Sequence, residues 1–210
     1  VFSRDYQNPR IYTANVAFEQ EVASNLTLYL DYTHSKGVHL TRFLNANRSG
    51  IFSPQLGEVM VTSSVGKSLY RGVTIGMRKR FSKGVQFEGN YVYSYDYDDD
   101  SNERDPFTDR AFDINRLFLD YALSDRDIRH KFNFSMNSEL PGKVESSVRV
   151  QARSAQPITP GVRAQSLNRN TARKNNEYFS LDWSLSRRFG GDRFSLFQPS
   201  KCSTHSTTTT

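Results

Sequence analysis

Apolar and polar residues alternate along most of this chain. From Ile11 to Val22, Tyr12, Ala14, Val16, Phe18 and Val22 oppose Thr13, Asn15, Glu19 and Glu21. From Leu26 to Ser35, Leu26, Leu28, Leu30 and Tyr32 oppose Thr27, Tyr29, Asp31 and Thr33. A hairpin from Lys67 to Asp100 follows, turning at Ser82-Lys83-Gly84. Leu69, Val73, Ile75, Met77 and Phe81 share a face on the way in, and Val85, Phe87, Tyr91, Tyr93, Tyr95 and Tyr97 on the way out. Further alternating stretches run over Ile128–Leu140, Val144–Ala152 and Phe179–Phe189, with a stub at Arg193–Phe197. A period of two predicts strands, because successive side chains point to opposite sides of a sheet. Val85–Tyr97 at about 3.3 Å per residue spans roughly 40 Å. A tilted membrane-crossing strand needs only about 9 to 11 residues.

The connections alternate in length. Ala23–Asn25, Ser82–Gly84, Pro141–Lys143 and Gly190–Asp192 are short; Lys36–Gly66, Asp98–Asp127 and Ser154–Glu177 are long. All tight turns therefore fall at one end of the sheet and all long loops at the other. The predicted fold is all-β: an antiparallel meander of about eight long strands, part of a transmembrane outer-membrane β-barrel, with short periplasmic turns and long extracellular loops. Closure would also remove the edges that such strands otherwise expose. A soluble β-sandwich binding carbohydrate is the alternative outside the membrane.

Composition fits a sheet with one greasy and one wet face. Only 36% of residues are hydrophobic, yet 15 Phe and 11 Tyr are present. No run of 18 apolar residues exists, which excludes a helical span. The net charge of +6 invites a nucleic-acid reading, but the Arg and Lys are scattered and one loop is acidic, so no nucleic-acid partner is expected. The single cysteine, Cys202, excludes a disulfide within the chain.

The sequence nominates no catalytic residue, no cofactor-binding residue and no metal site, and no enzyme activity is expected. His34, His39, His130 and His205 show no nucleophile–base–orienter spacing. Asp98–Asp127 carries ten acidic residues against four arginines, a net of −6. Asp96, Asp98, Asp100 and Asn102 form an oxygen-rich set of the kind that holds Ca²⁺, but the glycine and closing glutamate of an EF-hand loop are missing. A solvated acidic loop paired with its own arginines is the favoured reading. Ser154–Glu177 is basic by +3 through Arg163, Arg169, Arg173 and Lys174. The two loops are expected to pair across the mouth. Gly72 and Gly76 are read as relieving crowding in the wall.

Several stretches, in order, resemble one family: Tyr32–Leu40; Tyr70-Arg71-Gly72-Val73 followed by Arg78–Gly84; Tyr91–Ser94 followed by Asp98–Asp100; Ser124–Phe132; Glu139–Gly142; and Phe179–Ser186. Together they resemble the C-terminal barrel portion of Oar-like TonB-dependent receptors, outer-membrane proteins that often carry a carboxypeptidase-regulatory-like domain. The resemblance covers roughly Asn8 to Phe197. It implies residues 1–197 as part of a 22-stranded barrel in the outer membrane of a Gram-negative bacterium. That barrel would contact outer-membrane lipid, be energised by the TonB complex through parts outside this chain, and import a siderophore, oligosaccharide or peptide. Plug, TonB-box and final strands are absent from the matching stretches, so the chain reads as a fragment. Residues 198–210, ending in four Thr, read as a disordered or aberrant Ser/Thr tail. A small self-contained barrel with a structural or adhesive role remains the other membrane reading.

Overall fold

The computed structural model describes residues 1–100, 111–160, 169–189 and 196–207. The strands are β1 (Arg10–Ala23), β2 (Leu26–Asn45), β3 (Met60–Ser82), β4 (Val85–Asp98), β5 (Ala122–Leu123), β6 (His130–Leu140), β7 (Val144–Arg153), β8 (Pro157–Ile158), β9 (Ala172–Arg173), β10 (Tyr178–Phe189) and β11 (Leu196–Thr207). Eight long strands form one antiparallel sheet in the order β1-β2-β3-β4-β6-β7-β10-β11, with β5 on the upper end of β4 and β8-β9 as a separate ribbon. Each long strand pairs with its neighbours along the chain, as the predicted meander requires.

The tight turns are built by left-handed residues. Lys83 and Gly84 both have positive φ (51° and 76°), the geometry that matches the twist of a two-residue hairpin. Asn25 (φ 66°), Gly142 (86°) and Lys143 (62°) serve the other turns. The Gly190–Asp192 turn lies outside the described residues.

The pairing fixes which side chains share a face. Tyr32, Val73, Tyr93 and His130 align across β2, β3, β4 and β6. So do Leu30, Ile75, Tyr91 and Phe132, then Phe132, Ala152 and Phe179 toward β10. These residues form the apolar face, and it has no second layer against it. Val16, Phe18, Leu30, Ile75 and Trp183 are all exposed, and the only buried hydrophobic residues among those described are Leu44, Ala111 and Ala155. A sandwich would bury this face against another sheet. The sheet is a single layer, which fits a wall meeting lipid on one side.

On the opposite, polar face, Asn15 donates to Asp31 Oδ2 (2.8 Å) and Thr33 Oγ1 (3.0 Å), Asn133 to Asn90 (3.0 Å), and Arg78 pairs with Glu88 (3.0 Å). Tyr29 lies across Gly76, where any Cβ would overlap the ring. Gly76 therefore leaves room for an aromatic neighbour, as expected of it.

Two expectations need correction. Lys36–Gly66 is not all loop: β2 runs to Asn45 and β3 starts at Met60, and only residues 46–59 connect them. Bulges interrupt the ladder between Gly37 and Leu40 and again between Leu40 and Arg42, which hid the period from a strict alternation count. Gly66 permits the irregularity, since a Cβ there would stand 2.8 Å from the Leu40 carbonyl oxygen. The tail expected to be disordered from 198 onward is instead paired through residue 207, from Phe189↔Leu196 to Tyr178↔Thr207. A ladder is made by main-chain groups, so the free edge of β10 accepts a segment with no apolar alternation. Pro199, which lacks an N–H, is tolerated because β11 is the edge strand.

Candidate functional site

At the long-loop end the chain gathers buried charges. Eleven residues of β4, Val85–Tyr95, are enough to cross a bilayer. Asp96 and everything above it, with the extensions of β2 and β3, stand beyond that length. Past the two bulges, Arg42 comes to lie inward and is only 1% exposed. Its guanidinium donates to Asp120 Oδ2 at 2.8 Å and faces Asp99 and Asp100 at 3.8 and 3.9 Å. Asp99 and Asp100 follow the end of β4, and Asp120 ends a 3₁₀ turn over Leu117–Asp120. Asp120 also accepts the Phe112 amide (2.9 Å), and Asp99 accepts the Lys67 amide (3.0 Å).

The third connection closes onto this group. Arg169 pairs with the Asp98 carboxylate and donates to the carbonyls of Asp98 (2.6 Å) and Asp120 (2.8 Å). Asn170, in a left-handed conformation (φ 56°), donates to Leu123 O and Asp125 Oδ1. Arg173 donates to Asp127 Oδ2 (2.9 Å), which Arg129 shares at 3.1 Å. The other Asp127 oxygen accepts the Asp96 amide (3.0 Å). Asp98, Asp99, Asp120 and Asp127 are all buried. Ion pairs compensate these charges, because an unpaired buried carboxylate loses its hydration with nothing in return.

Burial pushes two acids toward the protonated form. Asp96 rises to about 6 through burial and then through the neighbouring Asp98. Asp99 is raised by burial, against the opposing pull of the Lys67 amide and Arg42.

The expected pairing of acidic and basic loops is present at Arg169 and Arg173. Lys174 is exposed, and Arg163 and Asn102 lie outside the described residues. Among the described residues the acidic loop is in part self-paired, as expected, at Arg116–Asp113 (2.7 Å), but its buried carboxylates also pair with arginines from elsewhere in the chain: Arg42 on β2, and Arg169 and Arg173 of the third connection. Asp98 and Asp100 of the oxygen-rich set already face arginines, and no cluster of three or more potential metal ligands exists among the described residues. The histidines are dispersed. His34 and His39 are on β2, His130 donates or accepts at Tyr91 Oη (2.6 Å) on β4, and His205 is on β11. Arg42 was missed by sequence reasoning. Its signal was an arginine inside the apolar row Leu40–Leu44, beside the strand-like run Met60-Val61-Thr62.

Four separate segments are tied into one lid-like cluster above a two-faced wall. The outer membrane beta barrel domain family matches residues 1–151, and the chain belongs to it. No curated protein and no solved structure matches the chain. The apolar face is accordingly the lipid face, and the charged cluster is the extracellular mouth.

Proposed function

We propose that this member of the outer membrane barrel family is part of the wall of a larger, TonB-dependent receptor that takes up a bulky nutrient: a siderophore, oligosaccharide or peptide. The observation that carries the larger wall is the pair of open edges. Among the described residues β1 and β11 end the sheet without pairing to each other, and β1 is exposed along its whole length. Unpaired strand edges are too unfavourable in hydrocarbon to persist, so further strands must complete the ring. The run of motifs resembling Oar-like receptors supports the receptor role and the energising TonB complex. The mouth contributes a fixed polar rim past which a solute enters, and no step of bond making is assigned to it.

The test compares cells with and without the gene for uptake of labelled iron chelate, oligosaccharide and peptide, each with and without an uncoupler. One uptake lost on deletion and also lost on uncoupling is the expected result. Unchanged uptake of all three, with altered cell adhesion instead, would overturn it in favour of a structural or adhesive barrel.

A further inference from the structure

Near the outer rim Lys36 and Arg71 interrupt the apolar lipid face, as Lys79 and Arg187 do near the short turns. Arg71 aligns with His34 on β2 and Tyr95 on β4, and Lys36 aligns with Leu69, which in turn aligns with Tyr97. All six share the face that carries Leu30, Ile75 and Tyr91. Arg71 and Lys36 are both exposed. Neither has a carboxylate within ion-pairing distance among the described residues. Arg129, over the Tyr95 ring at 3.6 Å, is by contrast ion-paired with Asp127, which it shares with Arg173.

Their height is informative. Arg71 stands eleven residues from Ser82 and Lys36 ten from Leu26, about the length that crosses the hydrocarbon core. The cations therefore emerge where outer-leaflet headgroups begin. A shallow groove of about 390 Å³ opens there, lined by Tyr32, Arg71, Val73, Tyr93, Tyr95 and Tyr97. Tyr95 and Tyr97 stack nearly parallel (2°), and Tyr97 continues onto Tyr121. Aromatic rings with polar tips suit the interface.

We infer that Arg71, in this tyrosine groove, and Lys36, one same-face step nearer the rim on the neighbouring strand, bind the phosphate of a phosphorylated outer-leaflet lipid headgroup. An unpaired cation on a lipid-facing surface finds its counter-charge in the lipid itself, and guanidinium offers a planar fork to phosphate oxygens. His34 is the register partner of Arg71 on the same face. The site stands whether or not the barrel transports.

The experiment titrates the full-length protein, in neutral detergent micelles, with fluorescent diphosphoryl lipid A and with the same lipid after phosphatase treatment. Wild type is expected to hold the phosphorylated lipid at least about tenfold more tightly than the treated one. Lys36→Gln with Arg71→Gln should remove that preference, Arg71→Lys should keep most of it, and Arg149→Gln on the lumen face should leave it intact. Inorganic phosphate at the same concentration should not displace the lipid. Retention of heat-modifiable mobility shows that each variant is folded; if the double variant fails to fold, Lys36→Gln alone is read in its place. Equal binding of treated and untreated lipid, an unaltered preference in the glutamine variants, or displacement by free phosphate would each overturn the inference.

Discussion

The lower two-thirds of the sheet and its mouth are stabilised in opposite ways. In the membrane-crossing part, side chains on both faces remain open: to lipid on one side and to the lumen on the other. Order there comes from the continuous main-chain ladder, with cross-strand pairs such as Phe87–Phe134, whose ring centroids lie 6.2 Å apart, adding modestly. At the mouth, ladder bonds give way to irregular chain, and buried ion pairs centred on Arg42, Arg169 and Arg173 hold the segments together. A wall can therefore accept many side-chain changes, provided that polarity is respected on each face. The mouth depends on particular partners.

Removing one partner should show the contrast most strongly. Arg42→Met leaves the buried Asp99 and Asp120 and the half-buried Asp100 without their shared cation, a loss of about 3–5 kcal/mol. Hydrogen exchange should rise sharply over residues 111–127 while the β6–β7 ladder stays protected. Equal exchange in variant and wild type would mean that the cluster does not hold the mouth. In the wall, a charge on the lipid face is the disruptive change. Ile75→Arg should lower the stability of folding into vesicles by about 2–4 kcal/mol, whereas Thr74→Arg, one residue earlier and facing the lumen, should change it little. Similar losses at both positions would contradict the assigned faces.

Packing effects come next. Gly76→Ala pushes a methyl group into the Tyr29 ring and should cost about 1–3 kcal/mol; adding Tyr29→Ala should recover most of it. A shift in pH should act on the mouth alone. Asp96 and Asp99 bind a proton more tightly folded than unfolded, so their contribution to stability grows as pH falls through the folded value, about 6 for Asp96, toward the ordinary carboxylate range. Proteolysis of the mouth should slow between pH 7 and pH 5, and Asp96→Asn should flatten that dependence. The smallest effect is expected at the exposed lumen pair Arg78–Glu88, with side chains 49% and 43% exposed. Arg78→Gln should change stability by under about 1 kcal/mol and less still in high salt.

Much of the wall was legible because its signal is local. Each long strand except β11 announces itself by alternation, and Ser82-Lys83-Gly84 and Pro141-Gly142-Lys143 announce their turns by residues suited to positive φ. The extension of β2 past Gly37 was not legible, because a bulge shifts the period by one residue and makes Leu40–Leu44 look like loop. β11 was hidden for a different reason: its pairing uses main-chain groups, and Leu196–Thr207 carries no side-chain pattern to reveal them. The charge difference between the second and third long connections correctly foretold that they attract. It did not identify which residues meet, and it missed Arg42, whose acidic partners lie 57 or more positions later in the chain.

By itself, then, the sequence determined the regular, alternating parts of seven long strands, the order of short and long connections and which face of those strands is apolar, since a period of two depends only on neighbouring residues. Tertiary structure decided the rest. It folded Arg42 under three carboxylates, brought Arg169 to Asp98 and Arg173 to Asp127, and aligned Lys36 and Arg71 beside the tyrosine groove. Those arrangements arise from the register between strands and the path of long loops, which couple residues far apart in the chain and leave little trace in any one segment.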